Sequence, residues 1–226
     1  MPLEKTEGII LHSFPIRDYD QVLALYTRDR GLLKVVVKAA RSKRRGLSSA
    51  IAPITKVEIV YKPGREDLHS CREISPLNYH LFLRDDINKL SAACELVKAV
   101  RTSQTAENPS PPLYSLLGTF IKRVENTRSL DALSTAFRLK ILKHDGLLHF
   151  NSACSTCQLA LDDHFFFKGE PFCPIHCPSG GVRFAKGEFD TLSHLLSARQ
   201  FETIESLPLT DGLASDVKRL FEYIYL

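Results

Sequence analysis

The chain has 226 residues, 44% apolar and 25% charged, with a formal net charge of +4. That is an ordinary globular composition, and it excludes low-complexity classes. No apolar run approaches the roughly 20 residues needed to cross a bilayer.

The N-terminal MPLEKTEGIILHSF places acids ahead of its short apolar segment and offers no small-residue cleavage site. No secretory signal is therefore expected, and the expected compartment is the cytoplasm, where thiols stay reduced. EGIILHSF, DQVLALYTRD and LLKVVVKAA are rich in Val, Ile, Leu and Tyr and read as strands, broken at PIRDY and DRG. KVEIVYKPG alternates, with Val57, Ile59 and Tyr61 on one face and Lys56 and Glu58 on the other. LHSCREIS, after the PGRED turn, is a fifth strand. Five short strands in about eighty residues predict a small closed barrel, because closure removes the edges of an open sheet.

Charge is uneven along this region. From Arg17 to Arg45 nine basic residues stand against three acids, Asp18, Asp20 and Asp29. Lys34, Lys38, Arg41, Lys43, Arg44 and Arg45 fall in KVVVKAARSKRRG, which leaves a strand and enters a loop without an acid. Such a concentration points to a polyanion-binding face, the alternative being a solvated basic loop. Binding of this kind works by counterion release and weakens steeply with salt. Phe14, Tyr19, Tyr26 and Tyr61 are expected in the barrel interior or its hairpins more than as base-stacking platforms.

Beyond residue 84 the period becomes helical. RDDINKLSAACELVKAVR places Ile87, Leu90, Cys94, Val97 and Arg101 on one face. After the break TSQTAENPSPP, Pro111 and Pro112 sit where a helix begins, with Leu113, Leu117, Phe120 and Val124 in register. SLDALSTAFRLKILKHDG follows, with Leu130, Leu133, Phe137 and Ile141 aligned and Gly146 placed to stop it. KGEFDTLSHLLSA and LASDVKRLFEYIY read as two more amphipathic helices.

Four of the six cysteines crowd into CSTCQLALDDHFFFKGEPFCPIHC, residues 154–177. Cys154 and Cys157 form a C-x2-C pair, and Cys173 with His176 or Cys177 forms a second knuckle. Two such knuckles converge four soft ligands on a tetrahedral ion, which predicts one closed, structural Zn2+ site. The fourth ligand is His176 or Cys177. His164 is expected in the intervening ribbon without touching the metal. Cys71 and Cys94 are expected as small buried apolar side chains.

In its order of features the chain resembles the RecO family of bacterial recombination mediators. EGIILHS and DYDQVLALYTRDRGLLKVVVKAARSKRR resemble that family's opening strand, hairpin and basic loop. FRLKILKHDGLLHFNSACSTC resembles its helix, Gly turn and first zinc pair. Departures are Gln21 where an acid is usual, Ala39 where Gly is usual, and C-x2-H-C in the second zinc pair. The resemblance implies an α+β multidomain chain. Residues 1–80 would be an oligonucleotide-binding (OB-fold) barrel, and 81–226 a helical domain with a zinc ribbon inserted at about 150–184. It further implies binding of single- and double-stranded DNA, strand annealing, and a nucleoid-associated role. The implied partners are RecR and the acidic C-terminal tail of single-stranded DNA-binding protein, with RecA loading and with RecF as a further partner. Lys34, Lys38, Arg41, Lys43, Arg44 and Arg45 match the basic loop, with Arg17, Arg28 and Arg30 as a second group. Arg123, Arg138 and Lys140 are candidate cations for the acidic tail. The alternative function is a zinc-ribbon regulator acting on RNA or in transcription. An enzyme is not expected: no nucleophile elbow, phosphate loop or H-E-x-x-H occurs.

Overall fold

The structure, a computed structural model, describes residues 2–42, 47, 49–64 and 67–226. The chain divides into two compact units, Met1–Glu125 and Asn126–Leu226. No described helix is long and apolar enough to cross a membrane.

In the first unit β1 (Glu4–Pro15), β2 (Gln21–Thr27), β3 (Gly31–Val37), β4 (Lys56–Lys62) and β5 (Leu68–Asn78) close into a barrel in the order β1-β2-β3-β5-β4. This OB-like barrel is the expected architecture. β1 is long enough to pair with β2 from Gly8 to Pro15 and with β4 from Glu4 to Ile9. The ring closes where β3 and β5 run parallel, from Lys34 opposite Leu68 to Val36 opposite Ser70. Val57, Ile59 and Tyr61 point inward as their alternation requires, joining Ile10, Leu23, Leu25, Leu33 and Val35. Each fully buried aliphatic side chain contributes about 1.5–3 kcal/mol.

Tyr26 and Tyr61 are interior as expected, but Phe14 and Tyr19 are 39% and 62% exposed. The cause is local. The β1–β2 register shifts between Ile10 and His12, and beyond that bulge His12 and Phe14 stack on the outside, 5.8 Å apart. Tyr19 lies in the β1–β2 loop.

The start of β3 finds its partner outside the five strands. Leu32 bridges to Ala106, and the Glu107 amide donates to the Leu32 carbonyl at 3.3 Å. Gly31 has φ +68°, and a Cβ there would lie 2.4 Å from the Asn108 carbonyl oxygen, so no other residue fits. The segment carrying Ala106–Asn108 joins α1 (Ile87–Ser103) to α2 (Pro111–Arg123). Asp86 caps α1 by accepting from the Asn88 and Lys89 amides, and Ser110 caps α2 ahead of its two prolines. The α2 stripe Leu113, Leu117, Phe120 and Val124 is buried as predicted. Of the α1 row, Val97 is buried and Leu90 half-buried, but Ile87, Cys94 and Arg101 are not. Ile87 is 75% exposed and Cys94 is exposed; the buried positions are Ala92, Ala93, Leu96, Val97, Ala99 and Val100. Small alanines let this face pack closely, and they outweigh the more apolar but sparser row. Cys71 is half-buried, so neither outlying cysteine is a core residue.

In the second unit α3 (Leu130–His144) is buried on nearly every side and packs against α4 (Lys186–Ser197), α5 (Phe201–Ser206) and α6 (Asp211–Tyr225). Gly146, at φ +69°, ends α3 as expected. The short α5 had no periodic signal. β6 (His164–Phe167) and β7 (Glu170–Phe172) form a hairpin whose two loop residues, Lys168 and Gly169, both have positive φ, as a type I′ turn requires. β8 (Val182–Phe184) adds a third strand on the other side of β6.

Candidate functional site

The basic cluster is assembled by the loops at one end of the barrel. Ile16 N–H donates to the Asp20 carbonyl at 3.1 Å and closes the β1–β2 loop. Asp20 Oδ1 then accepts the Ala39 amide at 2.8 Å, and the Tyr19 carbonyl accepts the Arg41 amide at 3.0 Å. These bonds pin the start of the basic loop onto the loop that carries Arg17. Ala39 sits at φ +52°, the left-handed region that glycine enters freely, and the Asp20 carboxylate holds it there. Asp20 was not among the expected site residues; its signal in the sequence is an acid embedded in a basic run.

Arg17, Lys38 and Arg41 are exposed at this end of the barrel. Lys34 is exposed on the outer face of β3, four residues before Lys38 and on the same side of the strand. Lys43, Arg44 and Arg45 lie outside the described residues. Arg28 and Arg30 do not join the group. They occupy the β2–β3 turn, separated from Arg17 and Lys38 by the seven-residue length of β2, about 20 Å. Arg30 is engaged there by Glu4 at 2.7 Å, whose same oxygen accepts the Tyr61 hydroxyl at 2.6 Å. Burial first, and then the Glu7 carboxylate, push the Tyr114 hydroxyl of α2 up to about 12, with Arg28 opposing.

Arg123 closes α2 in the first unit, whereas Arg138 and Lys140 belong to α3 in the second. Lys140 Nζ donates to the Leu196 and Ala198 carbonyls at 3.3 and 2.7 Å. It therefore caps the C-terminus of α4.

The second cluster is built from two knuckles. The Cys154 amide donates to the Leu159 carbonyl and the Gln158 amide to the Cys154 carbonyl, both at 2.9 Å, curling the first turn. The Cys173 carbonyl accepts the His176 and Cys177 amides at 3.1 and 3.0 Å, forming the second. The Ser155 amide ties the first knuckle to Pro171 of β7. As a result one ligand atom each of Cys154, Cys157, Cys173 and His176 lies within 4.8 Å of all the others. His176 presents Nδ1, 3.2 Å from the Cys173 sulfur and 3.9 Å from that of Cys154. Three thiols and an imidazole at this spacing could hold a metal ion.

Cys177 is not part of this group. Its thiol donates to the Pro178 carbonyl at 3.3 Å and packs where Gly181 leaves room; a Cβ on Gly181 would lie 2.3 Å from that sulfur. Burial pushes the Cys177 thiol up. Cys154 is shifted the other way. Burial alone would raise it, but the amides of Cys157, Cys173 and Thr156 point at its sulfur and bring it to about 6. At Cys157 the Leu159 amide lowers the thiol, yet burial and the Cys154 and Cys173 sulfurs outweigh it, and the net shift is upward. Zinc and similar soft cations bind the thiolate form, so metal binding here would release the thiol protons.

His164 lies outside the ligand group and stacks on Phe189, with ring centroids 3.7 Å apart. Both ring nitrogens are buried without a hydrogen-bond partner among the described residues. Burial depresses its pKa below the ordinary 6.5, with Asp190, Asp163 and Asp162 pulling weakly the other way. The unfolded chain therefore binds the proton more readily, and the stability contribution present above about pH 6.5 is lost as pH falls. His164→Phe should raise stability at pH 7 by about 1–3 kcal/mol, the cost of the orphaned polar atoms. It should also lessen the loss between pH 7 and 5. Thermal melts of both proteins across that range check this.

Comparison with known proteins gives a consistent result. Residues 1–80 match the family model described as "Recombination protein O N terminal", and residues 84–226 match "Recombination protein O C terminal". A protein of Chlamydia trachomatis serovar L2 named "DNA repair protein RecO" is 23% identical over 202 residues, covering 88% of this chain and 83% of that protein. One of Alkaliphilus metalliredigens with the same name is 26% identical over 225 residues, covering 97% of this chain and 91% of that protein. One of Pelotomaculum thermopropionicum is 26% identical over 205 residues, covering 87% and 78%.

Proposed function

We propose a function from one premise: the chain belongs to the RecO family of DNA repair and recombination proteins. Its role is that of a mediator. It binds single- and double-stranded DNA, anneals complementary strands and, with RecR, helps load RecA onto DNA coated by single-stranded DNA-binding protein, whose acidic tail it also binds. RecF is a further partner, and the setting is the bacterial cytoplasm at the nucleoid. The OB-fold domain of this reading is residues 1–80 and the helical domain 81–226, with the insert at about 150–184, α1 and α2 of the latter packing with the barrel in the unit that ends at Glu125.

The observation that supports this reading is the pinned basic loop. Arg17, Lys38 and Arg41 stand together on one barrel end, with Lys34 on the adjoining face, and Lys43, Arg44 and Arg45 follow in the sequence. Annealing then needs no catalytic group. Two polyanionic strands repel; cations on one rigid surface neutralise both and hold them at pairing distance, lowering the cost of encounter. Bases are left free because charge contacts the phosphates.

Zn2+ fits the second cluster as a structural ion held by Cys154, Cys157, Cys173 and His176, since soft thiolates with one imidazole are its usual donors. The chemistry it supplies is cross-linking: it fixes two loops that have little core of their own.

The test is strand annealing of complementary oligonucleotides, naked and coated by single-stranded DNA-binding protein with and without its acidic tail. Faster annealing of naked strands, and of coated strands only when the tail is present, is expected. Failure on both, or a strict preference for RNA, overturns the proposal in favour of an RNA-directed regulator.

A further inference from the structure

The insert carries four cysteines, but the ligand group takes only three of them, with His176 as its fourth donor. Cys177 is the thiol left over. It is half-buried, as are Cys157 and Cys173, whereas Cys154 is fully buried. Cys157 and Cys173 are therefore the ligand sulfurs that a small solute in water can reach. Cys157 has its knuckle partner, Cys154, inside the ligand group. The knuckle partner of Cys173 stands just outside it.

The second knuckle sets the spacing of that pair. The Cys177 amide donates to the Cys173 carbonyl at 3.0 Å, the bond of a single α-helical turn. Residues four apart in such a turn lie on one face, with Cα atoms about 6 Å apart. A disulfide spans roughly 4.4–6.8 Å, so the backbone already allows the bridge and only the Cys177 side chain must turn. That turn gives up little. The thiol is a weak donor to the Pro178 carbonyl at 3.3 Å, and its present slot exists because residue 181 is glycine.

On the reading that this cluster holds zinc, we propose that Cys177 is a resolving thiol and that peroxide reversibly opens the site. The Cys173 thiolate attacks one oxygen of hydrogen peroxide. The O–O bond breaks, hydroxide leaves, and the sulfur, two electrons poorer, becomes a sulfenic acid. The Cys177 sulfur then attacks the Cys173 sulfur. The S–O bond breaks, an S–S bond forms, and the departing hydroxide takes the thiol proton as water. In sum one peroxide is reduced and one Cys173–Cys177 disulfide is made. The site is then one thiolate short and no longer closed around its ion. The disulfide also shields Cys173 from oxidation to a sulfinic acid, which thiols do not reverse. A site lost in this way can therefore be restored.

The experiment treats the zinc-bearing full chain and Cys177→Ser with hydrogen peroxide, with circular dichroism as the check on folding. A chromogenic chelator measures released zinc, and mass spectrometry of alkylated peptides maps the disulfides. Dithiothreitol and zinc are then added, and elemental analysis gives the metal regained. The wild-type protein should release zinc in step with the Cys173–Cys177 disulfide and regain more than about four-fifths of it. Cys177→Ser should start with the same zinc content but regain less than about a fifth, with Cys173 found as the sulfinic acid. Zinc retained under peroxide, Cys173 joined to Cys154 or Cys157 in the wild type, or equal recovery in both proteins overturns the inference while leaving the zinc site intact. Protein that purifies without zinc overturns the metal reading, and this inference with it.

Discussion

Charge reversal at Arg17, Lys38 and Arg41 together is expected to weaken binding of a single-stranded oligonucleotide by about a hundredfold or more at moderate salt. Each lost phosphate contact is a loss in binding free energy of about 1 kcal/mol, and each new carboxylate adds repulsion to a strand already held by charge. The slope of log affinity against log salt should fall by about 0.7 for each contact removed. The same reversal at Arg28 and Arg30, at the opposite end of the barrel, should change affinity by less than about threefold. The paired comparison is what makes the result decisive. A general field around a basic protein would respond to all five positions alike, whereas a local interface responds to one end. Anisotropy titrations at several salt concentrations measure both quantities. Comparable losses from the two sets would remove the barrel end as the interface.

The second large effect concerns the thiol cluster. Cys154→Ser removes the one fully buried ligand of the four. Purified protein should then carry less than about a tenth of a zinc per chain in place of about one, and should melt about 10 °C lower, as loss of a structural ion warrants. His176→Ala should lose zinc likewise, because its Nδ1 stands among the sulfurs. Cys177→Ser should keep it, because that thiol turns toward Pro178 and Gly181. Elemental analysis and thermal melts check all three. Zinc retained in His176→Ala but lost in Cys177→Ser would reverse the assignment of the fourth ligand.

The sequence announces those parts of the molecule that depend on neighbours along the chain. Alternation in KVEIVYK placed Val57, Ile59 and Tyr61 inside the barrel. Prolines at 111 and 112 marked the start of α2, and Gly146 marked the end of α3. The convergence of the knuckles followed from C-x2-C spacing. What the sequence did not announce depends on contacts made at a distance. On α1 the buried face is rotated from the expected row: Val97 is shared, but packing selects the alanines beside it and leaves Ile87 and Cys94 outside. Phe14 is a hairpin residue on the outside, because a bulge invisible in composition turns the end of β1 outward. For the candidate interface, nine cations in one segment were legible as a group. The separation of Arg17, Lys38 and Arg41 from Arg28 and Arg30 was not, because β2 carries the chain from one barrel end to the other in seven residues. The choice between His176 and Cys177 turned on Gly181, four residues past the second knuckle and outside any ligand pattern.

The bridge from Leu32 to Ala106 bears on how the molecule can be cut. β5 reaches β3 only from Lys34 to Val36, so the seam below that point is completed by the segment between α1 and α2. A fragment ending at residue 80 would keep all five strands yet carry an open length of backbone along β3, an invitation to intermolecular pairing. The compact unit that includes this seam extends through α2 to Glu125.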